Sequence, residues 1–177
     1  MLHLLDTLSP SSVNTALLIT RLVLGAVFLA HGINHIIGGG KIAGTARWFE
    51  GLGMRPGIVH AWFASITEVG AGALLVLGLA TPLAGAGVVG VMLVAWITNH
   101  RKNGFFIFRP GEGWEYVMVL TMLGITIGTL GPGQWSIDDH VHTLTRLWGW
   151  PGFIIALGGG AAGAALLLVT CWRPKRG

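Results

Sequence analysis

Glu68 is the first residue to read for chemistry, because it is the one acid in the apolar run from Ile58 to Leu79. A carboxylate at that depth in a membrane-length stretch is costly, so it faces other helices and has a partner or a task. Arg21, inside the preceding apolar run, is the cation of matching depth. Counted from the ends of the two runs, Arg21 lies roughly 12 Å in from one side and Glu68 roughly 15 Å in from the other. In antiparallel neighbours those levels nearly coincide. This predicts a buried Arg21–Glu68 ion pair that satisfies both charges and sets helix register. Glu68 could also carry protons or hydrogen-bond a quinol hydroxyl at that position.

A second set of polar residues falls at one end of the apolar runs. His31 and His35 are four apart and share a helix face. His60, Asn99, His100, Glu112 and Glu115 belong to the same level. Brought together, His31, His35, His100 and Glu115 could bind a quinone headgroup, pass protons to a carrier or hold a metal. Taken singly, interfacial residues of these types commonly satisfy helix ends or meet water. A third set lies in the polar stretch from Gly131 to His142, where Asp138, His140 and His142 could chelate a divalent ion if the loop is extended. Solvated loop polarity accounts for the same residues, and Ser136 has no triad context for hydrolase chemistry.

The elements that must position these residues are transmembrane helices. Of 177 residues, 53% are hydrophobic and only 10% charged, against about 25% charged in soluble domains. The 29 glycines suit close packing of membrane helices. Cys171 is the sole cysteine, which excludes an intrachain disulfide, an iron–sulfur cluster and a dithiol relay, and no Cys-x-x-Cys-His marks covalent haem. The segment Met1 to Ser12 lacks a basic start and contains Asp6, so a retained first helix is expected rather than a signal peptide.

Five runs approach the roughly 20 residues a bilayer requires: 13–37, 58–79, 82–100, 114–130 and 152–172, the fourth being the shortest. Ala80-Thr81-Pro82 makes a tight turn between the second and third. The loop 38–57 carries Thr45, Trp48, Phe49 and Leu52 at helical spacing, consistent with a short interfacial helix or a plain connector. In the fifth run Gly159 and Gly163 form a small-xxx-small pair suited to close helix contact. Lys41, Arg47, Arg55, Arg101, Lys102, Arg109, Arg173, Lys175 and Arg176 follow the odd-numbered runs, while the opposite loops hold only Arg146. The positive-inside rule then predicts an outer N-terminus and a cytoplasmic C-terminus in the plasma (inner) membrane. No basic face suits nucleic acid.

The run Arg21-Leu22-Val23-Leu24-Gly25-Ala26-Val27-Phe28-Leu29-Ala30-His31-Gly32 resembles the DoxX family of small bacterial membrane proteins. So does the stretch from Glu68 through Gly70, Gly72 and Gly78 to Ala80-Thr81-Pro82. Gly113-Trp114-Glu115-Tyr116 and Gly131-Pro132-Gly133-Gln134-Trp135-Ser136-Ile137-Asp138 complete the resemblance, which covers roughly residues 17–138. It implies an all-α polytopic bundle: one membrane domain with a four-helix core over about 13–138 and an additional helix over about 152–172. It places Arg21, His31, Glu68, Glu115 and Asp138 at the characteristic polar positions of the family. It departs from the family where Asn34-His35 stands in place of a common lysine. Relatives include subunits of thiosulfate:quinone oxidoreductases and members linked to a superoxide dismutase and a sulfurtransferase. The expectation is a non-autonomous subunit or anchor of a redox-associated complex, with quinone as the candidate cofactor and a soluble redox enzyme as partner. An accessory subunit of a larger respiratory complex and a small-solute transporter are the alternatives.

Overall fold

The computed structural model of the protein describes residues 9–142 and 144–174. Lys175 and Arg176 of the basic count, and most of the segment read against a signal peptide, lie outside these residues. The described chain is all helical, with one isolated bridge between Met54 and Trp172. Helix α1 spans Pro10–Ile37, α2 Lys41–Gly51, α3 Gly57–Leu77 and α4 Thr81–His100. Helix α5 spans Glu115–Leu130, the short α6 Ile137–Val141, and α7 Trp150–Cys171. The last turn of α4 (Trp96–His100) and the stretch Ile154–Gly159 of α7 are wound as π-helix.

Four of these helices, α1, α3, α4 and α7, are long and apolar enough to cross a membrane. The chain is therefore a multi-pass membrane protein. Helix α5 has 16 residues, about 24 Å of rise against a hydrocarbon core of about 30 Å. It nevertheless runs from the loop that contacts His100 to the turn that contacts Asn14 near the start of α1.

Glycines let the helix backbones touch. A Cβ on Gly25 of α1 would sit 2.9 Å from the Gly72 carbonyl of α3, and one on Gly85 of α4 would sit 2.6 Å from that of Gly124 in α5. Such contacts replace bulky knobs with backbone approach, as membrane packing favours. Leu24 and Phe28 of α1, Leu75 of α3, Val88 and Met92 of α4, and Leu120 and Ile127 of α5 fill the core. Helix α2 and the end of α7 form a second cluster around Phe49, Met54 and Ala61. There Trp172 Nε1 donates to the Leu52 carbonyl at 2.9 Å, and Arg173 N donates to that of Gly53 at 2.7 Å. The C-terminal helix is thus tied at its end to the α2–α3 turn.

Candidate functional site

Two polar centres occupy opposite ends of the α1–α3 pair. At the α3–α4 turn, Arg21 is buried, 2% exposed, and its guanidinium donates to the carbonyls of Leu75, Val76 and Trp135. Leu75 and Val76 belong to the last turn of α3, where the Leu75 carbonyl also accepts from Gly78 N at 3.1 Å, so the cation meets the negative end of the helix. Asp138 completes this centre. Its carboxylate accepts from Ala80 N at 3.0 Å, Thr81 N at 3.2 Å and Thr81 Oγ1 at 3.3 Å. The N-cap of α4 is Ala80, which has no capping side chain, and Asp138 supplies that function from a distant loop.

The expected Arg21–Glu68 pair does not form. Glu68 packs against Gly32, where an added Cβ would lie 3.0 Å from the Glu68 Cβ. Gly32 is eleven residues from Arg21, about 16 Å along α1. Helical side chains also lean toward their own N-terminus, so in this antiparallel pair Arg21 and Glu68 lean apart.

The same lean brings Glu68 to His35, whose Nδ1 stands 3.1 Å from Glu68 Oε2. The two atoms are close but not aligned as a hydrogen bond, and neither has another partner. Both side chains line a cavity of about 420 Å³ bounded mostly by apolar groups of α3, α4 and α7. Of the four residues expected together, His31, His35 and His100 reach this cavity. Glu115 does not line it; its Oε1 accepts from Ile107 N at 2.8 Å and fastens the loop at the start of α5. His100 is held by both ring nitrogens, with Nδ1 2.9 Å from the Glu112 carbonyl oxygen and Nε2 3.2 Å from Asn99 Nδ2. His35 Nδ1, by contrast, has only the Glu68 carboxylate beside it.

His60 and Tyr116 also line the cavity. The Tyr116 ring lies 6.3 Å from that of His31. Reading residues by charge passes over Tyr116, although it is the only tyrosine in the chain and stands in the first turn of an otherwise apolar helix.

The metal reading of the outer loop is corrected. Ile137–Val141 is a helical turn, which sends Asp138 and His140 to opposite sides, and His142 lies past its end in a left-handed C-cap conformation. Asp138 is buried while His140 and His142 are exposed. Among the described residues no group of three or more His, Cys, Asp or Glu side chains is placed to hold a metal ion.

Both centres are anchored on α1, α3 and the α3–α4 turn, and residues 16–101, which contain Arg21, His35 and Glu68 but not Asp138, match the DoxX family. That stretch of the chain is similar to the DoxX family. The chain is also 28% identical over 130 residues to an uncharacterized membrane protein of Mycobacterium tuberculosis, covering 68% of this chain and 78% of that protein. No solved structure matches it. Within the DoxX region lie Arg21, His31, His35, Glu68 and His100, whereas the part of the cavity wall supplied by α7 lies outside the match.

Proposed function

We propose that this DoxX-like membrane protein is a non-autonomous subunit of a redox-linked complex, with a quinone site in the cavity beside Glu68. The observation that carries the reading is the His35–Glu68 contact. A carboxylate only 5% exposed faces an imidazole at 3.1 Å inside a mostly apolar cavity, and intramembrane acids of this kind serve proton relays. The fit to a quinone rests on those two under-satisfied polar atoms, which can donate to or accept from a ring oxygen. When bound, a quinone exchanges two electrons and two protons between its carbonyl and hydroxyl forms. The role of Glu68 and His35 is to hold and pass the proton at that oxygen, with His100 and the exposed Glu112 at the loop-side mouth connecting them to water. With one cysteine and no haem motif in its sequence, the chain depends on a partner protein for electrons.

In this reading the chain is one membrane domain crossing the bilayer five times, α5 included. Its N-terminus is outside, and the basic loops face the cytoplasm of a bacterial cell. The cavity then sits in the cytoplasmic half, where a soluble redox enzyme can dock. The test is purification in mild detergent with mass spectrometry of co-purifying proteins and lipophilic compounds. Stoichiometric quinone that is lost in Glu68→Gln and His35→Ala supports the reading. A protein that neither retains nor rebinds quinone, but travels with a large complex, makes it an accessory subunit instead.

A further inference from the structure

We propose that the cavity is loaded sideways from the bilayer, through a groove between α3 and α7 that holds the aliphatic tail of the quinone while its ring reaches Glu68. The inference rests on the quinone reading above and adds to it the route and the class of ligand, a tailed and not a tailless one.

Three observations carry it. First, some cavity-lining residues are also exposed on the outer surface of the bundle. Phe63 of α3 is 58% exposed, and Gly159 and Gly163 of α7 are exposed. Phe63 lies six residues from the start of α3 and Gly163 eight from the end of α7, about 9 and 12 Å in from the helix ends. The opening is thus at hydrocarbon depth, where a ligand dissolved in the bilayer arrives and a water-soluble one does not. Second, α3 and α7 each pack on α4 and meet one another at the loop end, where Ala61 and Ala64 join the cluster of Leu167, Leu168 and Trp172. The groove is therefore closed toward the basic loops. Its floor on α4 is kept low by Gly87 and Gly90, and a Cβ on Gly163 would meet nothing within 4 Å. Third, the groove and the buried polar pair line one continuous cavity. Its volume, about 420 Å³, is in the range of about 300–1,000 Å³ that takes small organic ligands. An apolar channel with its under-satisfied acid at the inner end matches an amphiphile that enters polar end first.

The experiment compares two probes on the full chain in detergent micelles, a dimethoxy-methyl-benzoquinone without a tail and its decyl derivative. Binding is read by quenching of tryptophan fluorescence, since Trp48 lines the cavity. Gly163→Phe plugs the groove, and Gly163→Leu is a second plug. Gly70→Phe is the control, at an exposed glycine of α3 that has open space and does not line the cavity. The expected result is at least a ten-fold rise in Kd for the decyl probe in both plugged variants. The tailless probe should stay within two-fold, and Gly70→Phe should match the wild type for both. Equal decyl binding in plugged and wild-type protein overturns the groove and leaves the quinone reading standing. Loss of the tail effect together with unchanged tailless binding in Glu68→Gln and His35→Ala overturns both. If neither probe binds the wild type, the quinone site itself falls and the groove falls with it.

Discussion

A buried arginine needs acceptors, and Arg21 finds three in backbone carbonyls, two of them at the end of α3. Glu68 finds a neighbouring imidazole instead. The two charges are therefore separate local solutions, although each was visible in the sequence as an ionisable residue in an apolar run. What the sequence could not supply was their relative height. Depth counted from span ends assumes that both helices begin at the same plane. Helix α1 instead starts at Pro10 and reaches Gln134 through Asn14, with Asn14 Nδ2 donating to Gln134 Oε1 at 2.8 Å. Double-mutant cycles distinguish the two pairings. Arg21→Ala with Glu68→Gln should be additive within about 0.5 kcal/mol in detergent unfolding, as expected of groups about 16 Å apart. His35→Ala with Glu68→Gln should show a coupling of roughly 0.5–3 kcal/mol. A strong Arg21–Glu68 coupling would refute the assignment of both centres.

Helix ends and seams decide how these side chains are held. The Ala80-Thr81-Pro82 turn was legible from its residue types, whereas the spacing of Thr45, Trp48, Phe49 and Leu52 left α2 open between a helix and a plain connector. The remote cap was not, because nothing local links Asp138 to a helix start more than fifty residues earlier. A buried, charged acceptor of three hydrogen bonds is worth more than an ordinary surface cap. Asp138→Ala should lower stability by about 2–3 kcal/mol, seen as a lower unfolding midpoint with the same helix content before unfolding. The α1–α3 seam makes a second, opposite pair of expectations. On Gly25 a methyl group meets rigid backbone at 2.9 Å, so Gly25→Ala should cost about 1–3 kcal/mol. On Gly70, where an added Cβ meets nothing within 4 Å, the same change should gain up to about 1 kcal/mol from helix propensity. Equal effects at the two sites would mean that the seam is not close-packed.

The orientation of the whole molecule depends on its shortest apolar helix. If α5 crosses the bilayer, the loop carrying Phe108 and Arg109 and the loop carrying Asp139 lie on opposite sides. If α5 does not cross, both loops share a side and the positive-inside argument for α7 reverses. Its 16 residues give about 24 Å of rise, a few ångströms under the hydrocarbon thickness, and local thinning of the bilayer absorbs such a mismatch at modest cost. Packing supports a full crossing, since α5 lies along the 20-residue α4 and contacts it through Gly85 and Gly124. Replacing Cys171 by Ser and introducing Arg109→Cys or Asp139→Cys one at a time turns this into a measurement. In intact cells a membrane-impermeant maleimide should label the cysteine at 139 and leave the one at 109 unreacted until the cells are opened. Labelling of both from outside, or of neither, would remove α5 from the membrane-crossing set, and labelling of the cysteine at 109 from outside would also overturn the cytoplasmic placement of the His35–Glu68 cavity.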